Sequence, residues 1–138
     1  MRLTAFVEKA CILLQEAIKD VSMECYNKAV STFWFSIEQL LRAIVYFYKR
    51  ITYERSGKLI SAFSSLPYGK DTEVLTAINT LYNLRILADH TTKIINRERF
   101  LRAMRLTHTA LEYLLPILEK IGVDTKDLRK CLTELSLQ

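Results

Sequence analysis

Glycine and proline are scarce in this chain, at three and two of 138 residues. An all-β fold of many short strands needs frequent tight turns, and most of those draw on one residue or the other. That class is therefore excluded. Three glycines also provide neither a P-loop nor a dinucleotide fingerprint. Cys11, Cys25 and Cys131 are an odd number, scattered and without C-x-x-C spacing, which gives neither a zinc site nor a disulfide framework. They read as small core residues of a protein in a reducing cytoplasm. No Asp, Glu or His cluster has metal spacing, and Cys25 lies in no nucleophile signature, so no metal and no cofactor is expected. No uninterrupted run of roughly twenty apolar residues is present, so no membrane span is expected. The opening MRLTAFVEKACILL spaces its apolar residues helically around Glu8 and Lys9, unlike a signal peptide.

What is present suits one domain with a substantial core. Hydrophobic residues make up 50% and charged residues 25%. A net charge of +5, from 20 Lys and Arg against 15 Asp and Glu, permits a polyanionic partner without demanding one.

The periodicity predicts helices over about 3–19, 23–49, 58–64, 71–90, 96–121 and 124–135. A break is expected at Asp20–Ser22. Leu66-Pro-Tyr-Gly-Lys70 is the clearest loop signal, and Asp71 or Thr72 suits the N-cap that follows. Asn96 should cap helix five and Gly122 should end it, with a kink or early stop at Pro116. Asp124 should cap the last helix. The expected fold is all-α: an up-and-down antiparallel bundle of four to five helices plus a short C-terminal helix, in one domain over residues 1–138. The second helix is the unusual one. From Phe33 to Tyr48 its polar residues are Ser36, Glu38, Gln39 and Arg42 alone. A helix so apolar is buried on more than one side, either between the core and a second subunit or at the centre of a single chain.

Tyr26-Asn-Lys-Ala29 is followed by Phe35-Ser-Ile-Glu38-Gln-Leu-Leu-Arg42-Ala-Ile, and helix four closes on Leu84-Arg85-Ile-Leu-Ala88-Asp89-His90. This order resembles the HEPN family, the higher eukaryotes and prokaryotes nucleotide-binding domain, over about residues 3–120; the C-terminal helix lies outside it. The resemblance implies a helical homodimer, an RNA or nucleotide ligand and a common pairing with a minimal nucleotidyltransferase, often as toxin and antitoxin. Many members are metal-independent ribonucleases with an R-x-x-x-x-H signature, which Arg85 and His90 match. Ile86 departs from the polar residue usual after that Arg. Thr91, Thr92 and Lys93 stand where some toxins carry a modified Tyr, and His90 occupies the place of the Tyr in an "ADY" close.

Metal-free RNA cleavage needs a proton carrier near neutral pH, which His90 could be, and a fixed cation on the phosphate, which Arg85 could be. Five positions on a helix turn through about 140°, so the two converge only if the helix unwinds at His90 or a second subunit shares the site. The alternative is structural. Arg85 and Asp89 form an i, i+4 pair in the less favourable order, and a last-turn His suits the helix dipole. Glu38 and Arg42 form the better-ordered pair, satisfying each other's charge in an apolar setting or supporting Arg85. Lys93, Arg97, Arg99, Arg102 and Arg105 collect near the start of helix five, where cations oppose the dipole. They read as a phosphate-binding rim or as a solvated face.

Overall fold

The computed structural model describes residues 2–90 and 94–138. It contains α1 (Arg2–Ser22), α2 (Tyr26–Lys49), α3 (Ser56–Ser64), α4 (Thr72–His90), α5 (Arg97–Lys120) and α6 (Lys126–Ser136), with a single 3-10 turn, Pro67–Lys70, between α3 and α4. No strand occurs among the described residues, and the chain is an all-α bundle. Among the described residues, no helix is long and apolar enough to cross a membrane.

The first break falls later than expected. Helix α1 continues through Asp20–Ser22, and the chain turns at 23–25, where Glu24 takes a left-handed φ of 55°. The Asp20 carbonyl accepts from the N–H of Met23 and of Cys25, which carries the chain into α2. Helix α2 leaves through Arg50, also left-handed at φ 58°, whose N–H bonds to the Tyr46 carbonyl at 2.8 Å. The Asp71 carboxylate accepts from the N–H of Val74 at 3.1 Å, so Asp71 is the cap of α4.

At the end of α5, Gly122 has φ 92°, its N–H reaches the Glu119 carbonyl and the Val123 N–H reaches that of Leu118. This is the paired-bond ending that favours glycine. Pro116 does not stop α5, which runs on to Lys120. The residue is exposed, as is Glu112, whose carbonyl the missing N–H would have paired, so water can take that bond. At α6 the backbone N-cap is Thr125, while Asp124 accepts from the Lys126 N–H at 3.0 Å. Arg129 then ties α6 to the end of α5 through two bonds to Glu119, of 2.7 and 2.6 Å. Arg129 first and Thr125 second hold the Glu119 carboxyl down at about 2.

Helix α2 is the centre of the molecule. It packs on α1, α3, α4 and α5, and between Ala29 and Val45 only Phe35 and Arg42 are less than fully buried. Central burial within one chain thus accounts for its apolar circumference, and the second-subunit face is no longer needed to explain it. Two of its hydroxyls are satisfied within the helix. The Ser36 hydroxyl donates to the Phe33 carbonyl at 2.7 Å, and that of Thr32 to the Lys28 carbonyl at 2.8 Å. Phe6 near the start of α1 meets Tyr46 near the end of α2, so these two helices are antiparallel. The start of α2 meets the end of α4, and the start of α4 meets the end of α5. Up-and-down packing therefore brings the end of α4 to the start of both α2 and α5, where the candidate residues cluster.

Candidate functional site

The corner is built on one stripe of α2. Asn27, Ser31 and Phe35 recur every four residues and so share a helix face. Asn27 spans the α4–α5 junction. Its Nδ2 donates to the Ala88 carbonyl at 3.1 Å, and its Oδ1 accepts from the Ile95 N–H at 3.0 Å. Asn96 then caps α5, accepting from the Arg99 N–H at 2.8 Å, while Tyr26 stacks on Phe100 with ring centres 4.7 Å apart. One turn further along α2, the Ser31 hydroxyl donates to Oδ1 of Asp89. Oδ2 of Asp89 lies 3.1 Å from Nε of Arg85. The Arg85 guanidinium sits over the Phe35 ring, 5.2 Å from its centre.

Arg85 is thereby positioned by two helices. Its side chain is 20% exposed, and its Nε is buried without a directed hydrogen bond although Asp89 stands within ion-pair distance. The contact is electrostatic attraction without an aligned N–H, so the cation has hydrogen-bonding capacity left over. Asn27 and Ser31 escape a reading of the sequence that looks for charged or catalytic types. The signal that could have found them is a polar pair at four-residue spacing on an otherwise apolar helix.

His90 is not brought to Arg85. Helix α4 stays regular through His90, so the two side chains remain about 140° apart around its axis. Thr91, Thr92 and Lys93 lie outside the described residues. The structure thus joins Arg85 to Asp89, Ser31 and Phe35, and leaves His90 exposed on another side of the helix end.

The arginines of α5 form a slanted stripe. At about 100° per residue, Arg99, Arg102 and Arg105 each advance by about 60°, while Arg97 stands on the flank opposite Arg99. Arg99 shares the flank of Tyr113 and Ile117, which line a groove with Val74 of α4. Arg97 and Arg105 border separate hollows on the α6 side, the first with Tyr26 and Gln138, the second with His108 and Ser136. Arg97, Arg102 and Arg105 are exposed and Arg99 is half-buried. Arg99 therefore stands on the α4 side of α5 with Arg102 about 60° beside it, and Lys93 lies outside the described residues.

Glu38 and Arg42 have another task. Arg42 donates to Glu38 at 2.9 Å and to the carbonyls of Tyr53 and Glu54 at 3.2 and 3.1 Å, and Ser56 donates to the second Glu38 oxygen. The pair ties α2 to the chain entering α3, and none of these bonds leads to Arg85.

Asn27→Ala would leave the Ala88 carbonyl and the Ile95 N–H without partners in a half-buried setting. The expected loss is about 2–3 kcal/mol of unfolding free energy, read from urea denaturation at unchanged slope. A loss under about 0.5 kcal/mol would mean that water replaces the amide at no cost.

Among the described residues, no group of three or more His, Cys, Asp or Glu is placed to hold a metal ion. No protein-family model matches the chain, and no curated protein matches it.

Proposed function

We propose that the protein is a HEPN-like helical module that binds RNA or a nucleotide through phosphate contacts at the α2–α4–α5 corner. The observation that carries this reading is Arg85: a partly buried guanidinium held by Asp89 and Phe35, with Asp89 in turn held by Ser31. A fixed, permanently charged fork at a helix junction suits a phosphate oxygen. Arg99 and Arg102 extend the same positive surface across α5.

Cleavage belongs to this reading only as a property of two copies. His90 lies about 140° around α4 from Arg85, so a reacting phosphate would use Arg85 of one chain and His90 of another. The substrate's own 2′-OH would be the nucleophile, leaving a 2′,3′-cyclic phosphate and sparing DNA. A nucleotidyltransferase partner and a toxin role follow from the family resemblance alone and are part of the same proposal.

The test uses purified protein, structured and single-stranded RNA, and EDTA. Cleavage is expected to disappear in His90→Ala and to fall strongly in Arg85→Lys, whose point charge cannot replace the planar fork. Binding should weaken steeply with salt, and Arg99→Gln with Arg102→Gln should flatten that slope by about two phosphate contacts. Equal cleavage by all variants would assign the activity to a contaminant or another site. A monomer at micromolar concentration by sedimentation equilibrium would remove the two-copy reading, and salt-independent binding would remove the phosphate-binding one.

A second reading has its own support. Arg85 already has a carboxylate and an aromatic ring, and Met23 and Ile94 expose 69% and 81% of their surface near the same end of the bundle. A non-enzymatic interaction module would use that surface for a protein partner. RNA binding lost in Arg85→Ala separates the two readings, because the interaction module predicts no RNA affinity to lose.

A further inference from the structure

Two cysteines 120 positions apart in the sequence meet across the α1–α6 interface. Cys131 is 1% exposed and lies between Leu128 and Leu135 on the buried face of α6. Cys11 is half-buried on α1, which α6 packs against. Cys11 and Leu128, one turn before Cys131, border the same hollow, and each thiol bears on the other's ionisation. Neither is in a disulfide. Cys11 also opens onto a hollow of about 480 Å³ bordered by Val7, Val123, Asp127 and Leu128. A small oxidant can therefore reach the first sulfur while the second waits behind it.

We propose that Cys11 and Cys131 form an oxidisable pair whose disulfide joins α6 covalently to α1. The oxidant class is a hydroperoxide. The Cys11 thiolate attacks one peroxide oxygen, the O–O bond breaks, and the hydroxide that leaves takes up a proton to become water. Cys11 is then a sulfenic acid. The Cys131 sulfur attacks the Cys11 sulfur, the S–O bond breaks, and the Cys131 proton departs with the hydroxyl as a second water. Two thiols and one hydrogen peroxide become one disulfide and two waters.

The surroundings set the pace of this reaction. Burial first, and then the Asp127 charge, raise the Cys11 thiol above its ordinary value. Burial first, and then the neighbouring Cys11 and Glu134, push Cys131 up to about 12. Little thiolate is present near neutral pH, so the pair should respond to sustained oxidation rather than to a brief pulse. The bridge closes a loop of about 120 residues, which restricts the unfolded chain strongly.

The experiment uses the full chain carrying Cys25→Ser, because Cys25 is exposed and would join molecules to one another. That position is the N-cap of α2, where serine is well accepted. After treatment with hydrogen peroxide, the denatured protein should have lost both remaining thiols and 2 Da of mass. It should run as a monomer and give a peptide linking Cys11 to Cys131. Its Tm should rise by about 10 °C and return with dithiothreitol. Cys11→Ser, a change at a half-buried site, should abolish the bridge while keeping the fold. Two thiols still present after prolonged oxidation would overturn the proposal, as would sulfinic or sulfonic products without the 2 Da loss, or a bridge between two chains.

Discussion

Gly69→Ala is expected to lower the unfolding free energy by at least about 3 kcal/mol. A Cβ at this position would stand 1.9 Å from the Phe63 carbonyl oxygen, and 2.7 Å from both the Phe63 carbonyl carbon and the Ser64 Cα. All three are backbone atoms, so no side-chain rotation relieves the overlap. The φ of Gly69 is not in the left-handed region, and the cost is therefore steric rather than conformational. The 3-10 turn Pro67–Lys70 must lift off the end of α3, which also disturbs the Tyr113 hydroxyl's bond to the Tyr68 carbonyl. That turn sets where α4 begins, and so the phase in which α4 delivers Arg85 and Asp89 to α2. Gly57→Ala is the internal control. It lies within α3 with nothing inside 4 Å of an added Cβ, and should be neutral or gain up to about 1 kcal/mol. Urea unfolding of both variants gives the comparison. A Gly69→Ala variant within about 1 kcal/mol of wild type would show that the turn relaxes freely.

Arg42→Ala is expected to cost about 3–5 kcal/mol, the range for removing one partner of a buried ion pair. Glu38 is 8% exposed at its side chain and Arg42 16%. Without the guanidinium, the Glu38 carboxylate retains the Ser56 hydroxyl alone among its hydrogen-bond donors, and the carbonyls of Tyr53 and Glu54 lose theirs. Arg42→Lys should recover only part of the loss, because an ammonium cannot span a carboxylate and two carbonyls in one plane. Combining Arg42→Ala with Glu38→Gln should restore about 1–2 kcal/mol by removing the stranded charge, giving a clear coupling energy in a double-mutant cycle. Strict additivity would mean that the two side chains do not act as a pair. Because this network ties the α2–α3 connection and not the Arg85 corner, RNA binding per folded molecule should be unchanged in Arg42→Lys.

Both variants act through contacts whose partners differ greatly in how far they can be read from sequence. Glu38 and Arg42 are visible as an i, i+4 pair, but the carbonyls of Tyr53 and Glu54 carry no side-chain signature. The clash at Gly69 depends on how closely the 3-10 turn returns to Phe63. The charged types at the candidate site, Arg85, Asp89 and His90, could be named in advance. That Asp89 would be held by Ser31, and that Asn27 would bridge Ala88 and Ile95, could not, because both bonds cross between helices about sixty residues apart in the chain.

The sequence by itself determined the helical class, the number and approximate extent of the helices, and the ends set by local chemistry: Asp71 or Thr72 before α4, Asn96 before α5 and Gly122 after it. These follow from neighbours within one or two turns, where periodicity and capping act. It misplaced the first break, because Asp20–Ser22 is carried on by packing, and the early stop offered at Pro116 does not occur, because Pro116 faces water. Tertiary structure alone decided that α2 is surrounded by four helices of its own chain, that α4 keeps His90 about 140° from Arg85, and that Cys11 meets Cys131. A side chain's type says which partners it could accept. Which partner it meets depends on how whole helix faces pack into one core, and that is a property of the entire chain at once.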